Sequence, residues 1–135
     1  MATIFTKIIN GEIPCHKIAE DENYLAFLDI SPLVEGHTLV IPKQEVDYYF
    51  DMDDALLAGL HIFSKKIAKA IQLAIPCTRI GTTVIGLEVP HAHLHLIPIK
   101  NVSDMNFSKP KLSPSEDELK ITAEKIRKAL VKRIK

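Results

Sequence analysis

The sequence predicts an α+β domain, an antiparallel sheet of about five strands with helices packed on it. Three observations point there. Short apolar stretches in the first third of the chain are joined by connections that suit antiparallel pairing. A long segment from about Asp51 to Ala74 repeats apolar residues at helical spacing. Finally, His91-Ala-His93-Leu-His95-Leu-Ile-Pro98 alternates imidazole and apolar side chains, as a strand with two different faces does.

Taken in order, Ile4, Phe5, Ile8 and Ile9 repeat at helical spacing within residues 3–10, and Asn10-Gly11 stops the turn. Pro14 forces an extended start, His16 to Ala19 reads as a first strand, and Asp21-Glu22-Asn23 supplies turn chemistry. Tyr24 to Ile30 is a second strand, closed by Ser31-Pro32. Gly36 opens a third over His37 to Ile41, ended by Pro42. In the long helix Leu56, Leu60, Phe63, Ile67 and Ile71 form one stripe, acids lead it, and Lys65, Lys66 and Lys69 follow, which suits the macrodipole. Pro76 ends it. Thr78 to Ile85 is β-branched and reads as a fourth strand, Gly86 turns the chain, and His91 to Ile99 makes a fifth. Residues 100–112 are polar and proline-marked, a crossing loop. Ser113-Pro-Ser-Glu116 reads as a capping box with proline at the first helical position. The helix behind it carries Leu119, Ala123, Ile126, Leu130 and Ile134 on one face. Its basic end (Lys128, Lys132, Arg133, Lys135) is explained by the dipole without a partner.

Composition narrows the function. A chain of 135 residues suits one domain over 1–135, with its core in about 3–99 and a loop and helix in about 100–135. Seventeen basic residues balance seventeen acidic ones, which argues against nucleic acid as a partner. No apolar run approaches the ~20 residues of a membrane span. The first residues lack the charged-then-apolar pattern of a secretory signal, so the expected location is cytoplasmic. Cys15 and Cys77 form no CxxC and are expected as free thiols.

The histidine run carries the chemistry. In an extended chain His91, His93 and His95 share one face at ~6.6–6.8 Å intervals, while Ala92, Leu94 and Leu96 face a core. A helix would not bring them to one side. Packing alone would be met by threonine or valine. Two chemistries stay open on the residues themselves. One is metal ligation, for which zinc wants about four convergent donors and a straight strand supplies two readily. The other is metal-free catalysis by imidazole.

Four ordered blocks then resemble the histidine-triad (HIT) family: Ile4-Phe5 with Lys7-Ile-Ile-Asn-Gly-Glu-Ile-Pro14, Ala26-Phe-Leu-Asp-Ile-Ser-Pro32, Gly36-His-Thr-Leu-Val-Ile-Pro-Lys43, and the triad itself. The resemblance covers about residues 3–99. It implies a HIT-like fold and homodimers whose sheets join across the interface. It also implies a purine-nucleotide (AMP-like) substrate, no cofactor, and hydrolysis or transfer at the α-phosphate through a nucleotidyl-histidine intermediate. By that resemblance His93 is the nucleophile, its other ring nitrogen held by the His91 carbonyl. His95 donates to a phosphate oxygen and His37 assists. Asp29 binds the ribose hydroxyls, and Ile30, Phe27, Phe5 and Ile8 wall the base. Read on residues alone, Asp29 is equally a turn-forming acid, His37 a packed strand end, and the apolar four ordinary core.

Departures from the family pattern matter too. Ile80, Leu87 and Glu88 stand where many members carry polar phosphate-holding groups, while Gly86 is kept. Gly86 and Glu88 are therefore grouped with the nucleotide-binding residues, Glu88 as a leaving-group contact or general acid. The replacements leave a second reading open, a nucleotide-binding regulatory module with weak or no catalysis. Several bacterial relatives build a zinc site on cysteines where this chain has Thr3 and Thr6, so no structural zinc is expected here.

Overall fold

The computed structural model describes residues 2–134; the side chains of Arg133 and Ile134, and all of Lys135, lie outside the described set. The basic end and last apolar position of the final helix are therefore described only through Lys132 and Leu130.

The chain begins with helix α1 (Ile4–Ile9), followed by strands β1 (Lys17–Glu20), β2 (Tyr24–Leu28) and β3 (Thr38–Pro42). The long helix α2 (Asp54–Ala74) follows a single 3-10 turn, and β4 (Arg79–Thr83), β5 (Leu94–Ile99) and α3 (Glu116–Ile134) complete the fold. The five strands form one sheet in the order β1-β2-β3-β5-β4, every neighbour antiparallel. This is the α+β architecture, a five-stranded antiparallel sheet with helices packed on it, expected from the sequence. No helix of the described residues is long and apolar enough to cross a membrane.

Both faces of the sheet are covered, so its central strands are buried throughout rather than alternating with water. On one face Tyr24, Ala26, Leu28, Val40, Leu94 and Leu96 pack under α2 and α3. The α2 stripe supplies Leu60, Phe63, Ile67 and Ile71, with Leu56 at its half-buried margin. Leu119, Ala123 and Ile126 of α3 join the same core. Gly59 lets α2 lie close on the sheet: a Cβ there would fall 2.0 Å from the Tyr24 hydroxyl, which donates to the Leu56 carbonyl at 2.8 Å. On the opposite face a smaller core of Phe5, Leu25, Phe27, Leu39 and Ile41 lies under short α1. A helix of six residues covers only part of that face.

Several boundaries differ from the sequence reading: the first and third strands each shift by one residue and the fourth ends at Thr83 rather than Ile85, and three further differences have a visible cause. The second strand stops at Leu28: the Asp29 N–H still reaches the His37 carbonyl, but the His37 N–H turns away to the Val34 carbonyl and the Asp29 carboxylate accepts the Ser31 N–H. The fifth begins at Leu94, not His91: the last β3–β5 pair is Val40 with Leu94, and Pro42 beyond it brings no N–H to a ladder. The Pro42 carbonyl instead accepts from the His91 ring. The cap of α3 lies two residues later than expected. Ser115 Oγ accepts the Glu118 N–H at 3.1 Å and Glu118 Oε1 accepts the Ser115 N–H at 3.0 Å, so Ser115 and Glu118 form the reciprocal box and Pro114 precedes it.

Candidate active site

The site lies on the α1 face. Register aligns Phe27 with Leu39, Leu39 with His95, and His95 with Thr83, one row of side chains crossing four strands. Phe5 of α1 leans over this row with its ring edgewise at 5.5 Å from Phe27 and 5.1 Å from His93. The His93 and His95 rings are 5.0 Å apart, and that of His37 lies 5.1 Å beyond His95.

Hydrogen bonds assign the protons. His93 Nδ1 lies 2.7 Å from the His91 carbonyl, which only accepts, so Nδ1 carries the proton and Nε2 keeps its lone pair. For His95 the chain is longer. The Leu33 N–H donates to His37 Nδ1 at 3.0 Å; His37 Nε2 therefore bears the proton and donates to His95 Nδ1 at 2.9 Å. That leaves His95 Nε2 protonated and free to donate. Burial pushes His95 down to about 3, helped by the neighbouring His37 and His93 rings, and pushes His37 down to about 4, helped by Lys111. Both stay neutral at pH 7, which the donor chain requires.

His91 differs from its neighbours. Its ring is fully buried, Nε2 donates to the Pro42 carbonyl at 2.9 Å, and Nδ1 meets the Thr3 hydroxyl at 2.9 Å. Burial lowers its pKa against the opposing pull of that carbonyl and Glu45. Both nitrogens are engaged, so what His91, expected among the catalytic residues, turns toward His93 is its backbone carbonyl. Thr6 and Glu45 extend the network, the Thr6 hydroxyl donating to Glu45 Oε1 at 2.6 Å.

Two cavities meet at His93 and His95. The inner one, about 270 Å³, is lined by Phe5, Ile8, Phe27 and Ile30, with Asp29 and Glu88 at its polar side. Cys15, a free thiol whose pKa burial raises, also lines it. Asp29 acts as a turn former and also borders this cavity: Oδ1 accepts the Ser31 N–H at 2.8 Å, while Oδ2 stands 3.8 Å from His37 Nε2. Burial raises its pKa and the Ser31 N–H opposes that. The outer cavity, about 230 Å³, shares Asp29, Glu88, His93 and His95 and adds Gly86, Leu87, Phe107 and Lys111. Gly86 has φ +73°, a left-handed turn that glycine adopts at no steric cost. Ile80, by contrast, packs against the large core. A third cavity of about 260 Å³, between the Pro32–His37 turn and α3, touches Asp29 and His37 but neither His93 nor His95. Phe107 and Lys111 escaped sequence reasoning because nothing local marks a polar loop as returning to a sheet face.

A model of the HIT domain matches residues 10–102. The chain belongs to the HIT family. It is 36% identical over 128 residues to the adenosine 5'-monophosphoramidase of Schizosaccharomyces pombe, spanning 93% of this chain and 96% of that one. It is also 41% identical over 98 residues to the adenosine 5'-monophosphoramidase of Saccharomyces cerevisiae, spanning 72% and 62%. Among solved structures, a HIT-like protein from Bartonella henselae superposes with TM-score 0.83 at 34% identity over 94% of this chain and 95% of that chain. A zinc-bound histidine-triad protein from Mycobacterium smegmatis gives TM-score 0.86 at 29% identity over 99% and 96%. With relatives named as enzymes at these identities, this HIT protein is a HIT-type hydrolase.

Whether its residues suit a metal is a matter of donors. Thr3 and Thr6, where the sequence reading expects no structural zinc, offer only hydroxyls, and the Thr3 hydroxyl is already bonded to His91 Nδ1. That donor set does not fit zinc. Asp29, His37 and His95 each place one donor atom within 4.8 Å of the others. There, however, the two imidazoles spend on each other the nitrogens that a cation would need.

Proposed function

We propose that this HIT protein cleaves a nucleoside 5'-phosphate conjugate (a phosphoramidate, an adenylated amine or a dinucleoside polyphosphate) at the α-phosphorus, through an intermediate on His93 Nε2. The observation that carries this reading is the 2.7 Å bond from His93 Nδ1 to the His91 carbonyl, which leaves the opposite nitrogen as a lone pair at the junction of two cavities.

The nucleoside lies in the inner cavity, its base against Phe5, Phe27, Ile8 and Ile30 and its ribose hydroxyls toward Asp29. Nε2 of His93 attacks phosphorus, a P–Nε2 bond forms, and the bond to the amine or phosphate leaving group breaks. His95 Nε2–H donates to a non-bridging oxygen as charge builds there, and the tautomer chain through His37 and the Leu33 N–H keeps that proton in place. An amine leaving group takes a proton from water at the open side of the cleft as the P–N bond breaks, whereas a phosphate leaves as its anion; the hydrolysis that follows returns a proton to solvent. Water then cleaves the P–Nε2 bond, releasing the nucleoside monophosphate and restoring imidazole. His91 and His37 are positioning residues in this scheme.

His93→Ala should lower turnover of adenosine 5'-phosphoramidate by at least ~10³-fold, since the attacking nitrogen is lost and burial keeps Cys15, which also lines the inner cavity, as a thiol, while AMP still binds by calorimetry. Wild-type turnover in the variant would refute the scheme. Tight AMP binding by the unmodified protein without turnover on any of the three substrate classes would favour the regulatory module instead.

A further inference from the structure

The outer cavity contains a cation that the proposed reaction does not use. Lys111 lies past the end of the HIT domain match, in the loop that returns from β5 to α3. The loop is tied to the sheet: the Leu112 N–H donates to the Pro32 carbonyl at 2.9 Å, and the Phe107 ring packs edgewise on His95 at 5.0 Å. Lys111 Nζ donates to the Phe107 carbonyl at 2.8 Å and lies 5.7 Å from the Phe107 ring, which fixes the ammonium beside the reacting histidines. Two of its three protons are left over. Among the described residues it makes no ion pair, although Asp29 and Glu88 line the same cavity.

The order of charges along the cleft gives the amine its meaning. Asp29 and Glu88 border both cavities and so flank the junction where the α-phosphate reacts. Lys111 lines the outer cavity and not the inner one, whereas Phe5, Ile8, Phe27 and Ile30 line the inner cavity and not the outer; His93 and His95 line both. Meanwhile the side chains of Leu87, 87% exposed, and Ile80, half-buried against the core, carry no donor for an anion. We propose that Lys111 makes the outer cavity a subsite for a leaving group bearing a negative charge, either the carboxylate of an amino-acid amine or the next phosphate of an anhydride. This rests on the hydrolase reading above for which part of the substrate lies where, and it adds a preference that reading does not contain.

The test uses the full chain and a charge-matched pair of substrates, the adenosine 5'-phosphoramidate of an amino acid and that of its methyl ester. The wild type should favour the free acid in kcat/KM by about three- to tenfold, the scale of one partly exposed charged contact. In Lys111→Met the ratio should fall towards one, and Lys111→Arg should keep most of it. Raised salt should shrink the wild-type preference. A second measurement needs no turnover: calorimetry of ADP against AMP, where the β-phosphate occupies the leaving-group position. A Lys111-dependent preference for ADP assigns the subsite to phosphate; one confined to the amino-acid pair assigns it to carboxylate. Equal ratios in wild type and Lys111→Met in both measurements overturn the proposal. A Lys111-dependent ADP preference without turnover of any of these conjugates leaves the subsite standing and removes the proposed substrates and intermediate. Turnover with no dependence on Lys111 does the reverse.

Discussion

At the scale of single residues, the four histidines of this site differ in which ring nitrogen already has a partner. Four histidines of similar intrinsic chemistry are sorted by hydrogen bonds: His91 is closed at both ring nitrogens, His37 passes a proton position to His95, and His93 is pinned through Nδ1 alone. Keeping two imidazoles buried and neutral makes stability depend on pH. His37 and His95 titrate near 4 and 3 when folded, against ~6.5 in the unfolded chain. Between those values the unfolded state binds the protons and the folded state does not, so their contribution is whole above pH ~6.5 and is lost as pH falls towards 4 and 3. Each group then costs up to ~1.4 kcal/mol per pH unit within its window. Urea unfolding at pH 7, 6 and 5 should show this slope, and His37→Gln should flatten it; an unchanged slope in the variant would count against the buried neutral pair.

At the scale of elements, helix ends and strand ends show where local patterns mislead. Both Ser113 and Ser115 precede the last helix, and Pro114 between them suits the first helical position. What selects Ser115 is Glu118, three residues on, which reaches back to the Ser115 N–H. The box that starts at Ser113 would have used Glu116 instead. Ser115→Ala should therefore lower stability by about 1 kcal/mol in chemical denaturation, and Ser113→Ala should leave it within about 0.5 kcal/mol. The opposite ranking would place the cap where the sequence suggested. The histidine strand has a similar history. Alternation through His95 and Leu96 is real ladder geometry, whereas His91 to His93 are held by the Ala92 N–H on the Val46 carbonyl and by ring contacts instead.

At the scale of the whole molecule, β4 is an edge strand whose outer rim no described residue pairs. An open edge is an invitation to another strand, and HIT homodimers with a joined sheet are what the family resemblance implies. Light scattering is expected to give twice the mass of one chain; the mass of a single chain at micromolar concentration would contradict the dimer. The second large-scale feature is the loop beyond residue 102, where the HIT match ends. It lines the outer cavity with Phe107 and Lys111, so a segment beyond the HIT domain match contributes to the pocket where leaving-group selectivity is proposed.

Much of this was legible in the sequence, for a physical reason. Strand alternation and helical periodicity are set by neighbours two to four residues apart, so the sheet, α2, and the separation of His93 and His95 from Ala92, Leu94 and Leu96 follow from local pattern. Tautomers, closed and open ring nitrogens, and the arrival of Lys111 do not. Thr3 and His91 are separated by 88 positions and His37 and His95 by 58, and a proton is assigned only when such partners meet. The sequence determined which side chains share a face; the tertiary structure decided which of their atoms are still free to react.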